Sequence, residues 1–217
     1  TRQPACAGRF YEGDPESLRR DVRAYLDVPA AAQSPKAVIA PHAGYPFSGQ
    51  IAGHAFATLA ANANEIKRVI LVGPSHFVAF EGMAVSPHRA FSTPLGDVPV
   101  DTDEVQSLID EDLVRVFERA HAREHSLETH LPFLQQVLRD FRIVPIVTGR
   151  TSGDDVGRLL ARYADDPATV VSASSDLSHF HPYDEARELD EATAESIESL
   201  SPDDLSPDRA CGYVAVG

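Results

Sequence analysis

Residues able to bind a metal or move a proton stand just beyond three apolar runs that lie far apart in this chain. Lys36-Ala-Val-Ile-Ala40 leads into Pro41-His42-Ala43-Gly44, and Arg68-Val-Ile-Leu-Val72 leads into Gly73-Pro74-Ser75-His76. Ala168-Thr-Val-Val-Ser172 leads into Ser174-Ser175-Asp176-Leu177-Ser178-His179. Two neutral imidazoles on neighbouring strand ends supply half of a transition-metal site. His42 and His76 are therefore candidate ligands, against the plainer reading of two satisfied structural histidines. Asp176 and His179 are three apart, close enough for a carboxylate to orient an imidazole as acid or base. The plainer reading there is a helix N-cap at Asp176 or Ser178. Glu124-His125-Ser126-Leu127-Glu128 adds polar groups, and His125 and Glu128 are expected at the same mouth.

Other motifs carry less. His121-Ala-Arg-Glu124-His125 matches the H-x-x-E-H pattern of inverted zinc peptidases, but five residues in a chain with nine histidines match readily by chance. Gly44 to Gln50 has the glycine spacing of a phosphate loop, yet Gln50 stands where the lysine belongs, so a nucleotide triphosphate site is rejected. Gly44 and Gly49 are instead expected to let the backbone turn after His42. Neither Ser48 nor Ser75 lies in a Gly-x-Ser-x-Gly elbow. His54, His88, His121, His130 and His181 read as surface or hydrogen-bonded histidines. Two cysteines, Cys6 and Cys211, allow at most one bridge. In a cytosolic enzyme a reactive or metal-binding thiol outweighs a disulfide, and Cys6 reads as a small buried hydrophobe.

The elements that must position these groups alternate between strand and helix. Runs rich in Val and Ile, unalternated and bounded by Gly or Pro, read as strands buried on both faces of a parallel sheet. Ligands in such sheets sit beyond the carboxyl ends of the strands. Ile143-Val-Pro-Ile-Val147 is a further strand whose proline predicts an edge or irregular position. Short strands are expected around 82–86 and 98–100. Helices are expected from the Asp14-Pro15 cap, from Ser48 through Leu59, from the Asp101/Glu104 capping pair, and over 131–138, 155–163 and 184–200. Residues 30–35 read as a loop. The class is α/β: a single domain over 1–217, with a mainly parallel central sheet flanked by helices.

Composition narrows the partners. A 217-residue chain with 43% hydrophobic residues can bury a substantial core. No apolar run approaches the length of a membrane span and the N-terminus lacks a signal pattern, so a cytoplasmic protein without membrane attachment is expected. The formal charge is -14, and Lys36 and Lys67 are the only lysines among 19 basic residues. Nucleic acid is excluded as a partner, because no arginine cluster escapes neighbouring carboxylates. Abundant Asp and Glu with scarce Lys suits a halophilic protein, and a GC-rich genome would equally favour Arg over Lys.

Taken together, Ala7-Gly8-Arg9-Phe10-Tyr11, Ile39-Ala-Pro-His42-Ala-Gly-Tyr45, Val72-Gly-Pro-Ser-His76, Thr93-Pro-Leu-Gly96, Glu124-His-Ser-Leu-Glu128, Leu131-Pro-Phe133, Ser174-Ser-Asp-Leu-Ser-His179 and Ala210-Cys-Gly212 resemble the Memo family. Its bacterial and archaeal branch is labelled AmmeMemoRadiSam system protein B. The resemblance covers nearly the whole chain and implies a fold similar to class III extradiol dioxygenases, which open catechol rings with non-haem iron. It implies a metal pocket of His42, His76 and Cys211, with Asp176 and His179 beside it as catalytic groups. The dioxygenases use a glutamate where this chain has Cys211, and a thiolate favours copper(I) or zinc and alters the electronics of iron. Iron or copper is the expected metal, with zinc as the alternative. The resemblance implies a metal-dependent oxidoreductase acting on an unidentified small molecule, or else a non-catalytic scaffold holding a peptide or protein. The family label points to a radical-enzyme partner system. The eukaryotic branch implies phosphotyrosine-peptide binding, although a phosphate would meet repulsion on so acidic a chain. Relatives continue past the Cys-Gly pair with a further helix and strand, whereas this chain stops at Gly217.

Overall fold

A computed structural model describes residues 1–29 and 31–217. The expected loop over 30–35 falls partly outside the described residues, at Ala30; the rest of it carries no helix or strand. In chain order the elements are α1 (Pro15–Leu26), β1 (Ala37–Ala40), α2 (Tyr45–Ala57), β2 (Arg68–Pro74), β3 (Met83–Val85), β4 (Ala90–Thr93), β5 (Gly96–Pro99), α3 (Thr102–Asp110), β6 (Arg115–Val116), α4 (Glu118–His121), α5 (Leu131–Val137), β7 (Arg142–Thr148), α6 (Gly153–Ala161), β8 (Thr169–Ser174), α7 (Tyr183–Glu198) and α8 (Tyr213–Val216).

The apolar runs at 68–72 and 168–172 become central strands of a six-stranded sheet ordered β1-β8-β2-β7-β3-β6, whereas the run at 36–40 forms its edge, β1, with Val38 and Ala40 buried and Ala37 exposed. β1, β8, β2 and β7 run parallel, and β3 is antiparallel to β7. β4 and β5 form a separate antiparallel pair. Val69, Ile70, Leu71, Ile143, Val144, Ile146 and Val147 are wholly buried, as strands covered on both faces require. Register is what positions the site. Ala40 pairs with Ser174 and Val72 with Ala173, so β1, β8 and β2 end together on one side of the sheet.

Capping follows the sequence closely at three helices. Asp14 accepts the Ser17 N–H at 2.9 Å, Asp101 accepts that of Glu104 and Ser152 that of Asp155. Helix α2 starts three residues earlier than expected. Gly44 takes the N-cap position with Pro46 in the first turn, a place where a missing N–H costs nothing. Gly49 is accordingly no turn residue. A Cβ there would meet the Tyr25 ring at 2.6 Å, and one at Gly53 would meet the Tyr25 carbonyl at 2.1 Å, so these glycines let α1 and α2 cross closely.

The expectation for the proline strand is corrected. β7 lies inside the sheet between β2 and β3, with Pro145 opposite Leu71. Arg142 N–H bonds Lys67 on the β2 side, while the Ile143 carbonyl accepts from Asp101 on the other. By alternation the Pro145 nitrogen turns to the β3 side. Pairing with β3 ends there, at Val85 opposite Ile146, so no ladder bond is lost.

Candidate metal centre

Beyond the shared strand ends, two short turns aim imidazoles at each other. Pro41 follows β1 and turns His42 into the protein, where it is 1% exposed. Asp176, two residues past β8, holds this turn: its Oδ1 accepts the amides of His42 at 2.7 Å and Ala43 at 3.1 Å. His42 Nδ1 lies 2.7 Å from Ser174 Oγ. His76 stands two residues past β2. Its amide donates to Glu124 Oε2 at 2.6 Å and its Nδ1 lies 2.8 Å from Oε1. An ionised carboxylate only accepts, so Nδ1 carries a proton and Nε2 is the nitrogen left to meet a metal once its own proton is released, as in carboxylate–histidine–metal arrangements.

His125 completes the group. Its ring stacks on His76 at 4.5 Å and meets His42 edge-on at 5.4 Å, while His42 and His76 are 5.0 Å apart. One ligand atom from each of the three lies within 4.8 Å of the others. Cys211 reaches the same place from the segment before α8. Its Sγ is 3.2 Å from His42 Nε2 and accepts the Asp176 amide at 3.3 Å. A Cβ at position 212 would sit 2.2 Å from the Ser174 carbonyl, so only glycine lets the chain pass β8 closely enough to deliver this thiol.

Charge separates the imidazoles. Burial, reinforced by the neighbouring His76, His130 and His125, holds His42 well below the ordinary histidine range and keeps it neutral. Burial would lower His76 too. Hydrogen bonds to Cys211 and Glu124, with their charges, outweigh it and push His76 up to about 10. Glu124 is the counterpart: burial would raise it, but its bonds to His76 and the His76 charge bring it down to about 2. Burial lowers His125.

These residues fit a metal. His125 Nδ1 is buried without a hydrogen bond among the described residues, its nearby charge being Glu124 Oε1 at 3.4 Å. Imidazoles with a thiol beside them suit zinc, iron or copper and do not suit calcium or magnesium. A cavity of about 550 Å³ adjoins Cys211, walled by Pro74, Ser75, Phe80, Thr148, Tyr213 and Val214.

Two sequence expectations are corrected. Asp176 does not orient His179. Its carboxylate takes the His42 turn, while His179 is exposed, with Nδ1 2.9 Å from the Leu177 carbonyl and its ring against Phe180. Glu128 does not face the mouth. Fully buried, it accepts from Arg2 at 2.6 Å, Tyr11 at 2.7 Å, the Ala5 and Cys6 amides, and the Cys6 thiol at 3.0 Å. It binds the N-terminal segment, because Arg2 is the one partner that compensates a carboxylate at that depth. Cys6 is thus buried as expected but hydrogen-bonded, and both cysteines are free. His121 Nε2 faces the Ala84 carbonyl at 3.0 Å, which removes it from any pair with His125. Sequence reasoning gave Ser174 no role and did not single out Glu124 as the partner of His76. Residue type alone carries no signal for either contact, although Ser174 and Asp176, two apart after a strand, share a direction.

Comparison with known proteins bears on the chain's family. The family model described as Memo-like protein matches residues 2–213. A MEMO1 family protein of Methanopyrus kandleri is 36% identical, over 92% of this chain and 76% of its own length. Another, from Archaeoglobus fulgidus, is 38% identical over the same shares. A protein memo-1 homolog of Caenorhabditis elegans is 32% identical over 93% of this chain and 63% of itself. With the family's model covering all but the chain's extreme ends, the protein belongs to the Memo-like family.

Proposed function

We propose that this chain binds a transition metal through His42, His76 and Cys211, with His125 beside them, and acts as a metal-dependent oxidoreductase of dioxygenase-like type. One observation carries the metal reading: imidazoles delivered by separate strand ends converge with His125, each bringing a ligand atom within 4.8 Å of the others. The adjoining cavity has the volume of a small-molecule site, which favours a small substrate over a bare structural ion. When bound, iron or copper would supply the redox chemistry. The chain's own part is to hold the His42 and His76 imidazoles in place through Asp176 and Glu124, and to wall the substrate space with Phe80, Tyr213 and Val214. His179 is the proposed base, a role that requires substrate to reach it from the exposed side.

The test is metal analysis of protein purified without chelator or nickel resin, followed by oxygen uptake with iron- and copper-loaded protein across catechols, thiols and other reductants. Cys211→Ser is expected to weaken metal retention. His179→Ala is expected to leave metal content unchanged and suppress turnover, since general-base transfer is worth on the order of a hundredfold or more. No turnover above free metal would refute the enzyme and leave the pocket as a binding site for a peptide or protein.

A further inference from the structure

Ser174 and Ser172 project from the same face of β8, and each meets a buried histidine, yet the two pairs are wired in opposite senses. Ser172 Oγ lies 2.9 Å from His130 Nδ1, and His130 Nε2 lies 3.2 Å from the Ala40 carbonyl. A carbonyl only accepts, so His130 carries its proton on Nε2 and Nδ1 accepts from Ser172. At Ser174 the carbonyl is on the serine instead. Its Oγ is 2.6 Å from the Ser126 carbonyl and 2.7 Å from His42 Nδ1. Ser174 has one proton to give. If it went to His42, the Ser126 carbonyl would face an oxygen lone pair at 2.6 Å, with both residues wholly buried. Donation to Ser126 removes that clash and leaves Ser174 as the acceptor of a proton on His42 Nδ1.

We infer that Ser174 is a positioning residue that fixes His42 as its Nδ1–H tautomer and so presents Nε2 as a free lone pair towards Cys211 and His76. The inference rests on the metal reading for its purpose, and on hydrogen-bond geometry alone for its content. Glu124 does the same for His76 with a charge. Ser174 does it without one, which matters for an imidazole held neutral at 1% exposure, where a second buried carboxylate would have to be desolvated. Asp176 grips the backbone of the same turn, so the ring's proton and its position are set by residues two apart after one strand.

The tautomers are read directly from long-range proton–nitrogen correlation spectra of the histidine rings in metal-free protein. Wild type is expected to show His42 with its proton on Nδ1 and His130 with its proton on Nε2. In Ser174→Ala, His42 should move towards the Nε2–H form, and zinc affinity by competition titration should fall about 10- to 100-fold. Ser172→Ala loses the same kind of bond from the same strand, and should leave both the His42 tautomer and zinc affinity unchanged. This control separates tautomer control from a general loss of packing. An Nε2–H form of His42 in wild type overturns the inference, as does a Ser174→Ala protein that keeps the Nδ1–H form with wild-type zinc affinity. If wild type takes up no zinc, iron or copper, the metal reading fails. The two sets of spectra then uphold or overturn the role of Ser174 by themselves.

Discussion

Replacing Glu124 by Gln tests whether the carboxylate behind His76 serves the metal centre or only the fold. Oε1 accepts three N–H groups, from His76 Nδ1 at 2.8 Å and the amides of His125 and Ser126 at 2.9 and 3.0 Å. Oε2 accepts one, the His76 amide at 2.6 Å. A glutamine will keep its carbonyl at the crowded position and turn its amide nitrogen against the His76 N–H. One donor then faces another, at about 1–3 kcal/mol of lost stability. The His76 tautomer survives, but the negative charge that raises the basicity of its ring is gone. Loss of such a partner weakens metal binding by roughly 10- to 100-fold, or about 1.4–2.7 kcal/mol. Glu124→Gln should lie near the lower end, and Glu124→Ala, which also frees the ring, near the upper. Zinc competition titrations measure the affinities, and urea unfolding of the metal-free proteins measures the fold separately. Wild-type affinity in both variants, alongside a measurable loss of stability, would refute the link and leave Glu124 as a purely structural anchor.

Glu128→Ala strands the Arg2 guanidinium in the interior and should cost about 3–5 kcal/mol in urea unfolding, with zinc stoichiometry unchanged in the folded protein. Buried His121 and His130 each fall from 6.5 to about 4, burial being the chief cause. Ala84, Arg2, Glu124 and His88 also act on His121, and Ala40, Pro41 and Asp176 on His130. The unfolded chain therefore binds more protons between these values, so stability should be full above pH 6.5 and decline as pH falls towards 4, by about 3 kcal/mol per histidine. Unfolding midpoints from pH 8 to 4.5 would show this slope, and His130→Gln should reduce it. If the charge of -14 is a high-salt adaptation, midpoints should rise clearly from dilute buffer to molar potassium chloride, whereas a flat response would favour base composition.

The strands that carry the site were legible because burial on both faces leaves an unbroken apolar signature, visible at 68–72 and 168–172 without any partner. Their order was not, since which run pairs with which is fixed by packing. β8 inserts between β1 and β2, although it follows them by about a hundred residues in sequence. Pro145 misled for a definable reason: a proline is forbidden only where its nitrogen meets a partner, and the end of β3 is invisible in sequence. Helices with side-chain caps were placed within two residues at their starts, whereas α2, capped by Gly44 alone, was not. At the site, His42 and His76 followed from their strand ends. Glu128 and Asp176 were misassigned because nearness along the chain says nothing of direction. A carboxylate four residues from Glu124 points the other way, to the N-terminal segment.

The structure also bears on which donor completes the pair of strand-end imidazoles. Around a tetrahedral ion, bonds of about 2.0 Å to nitrogen and 2.3 Å to sulfur set neighbouring nitrogen and sulfur roughly 3.5 Å apart and two nitrogens roughly 3.3 Å apart. Cys211 Sγ and His42 Nε2, at 3.2 Å, already stand near that spacing. His42, His76 and His125 each bring one ligand atom within 4.8 Å of the others. His125 is held firmly by its neighbours. The His125 ring is stacked on His76 and tilted against Phe10, and its amide is tied to Glu124. The thiol meanwhile sits on the His42 nitrogen that Ser174 leaves free. The 3.2 Å contact, set against the packing around His125, is the ground for proposing Cys211 as the third donor, while His125 Nδ1 faces Glu124 Oε1 at 3.4 Å.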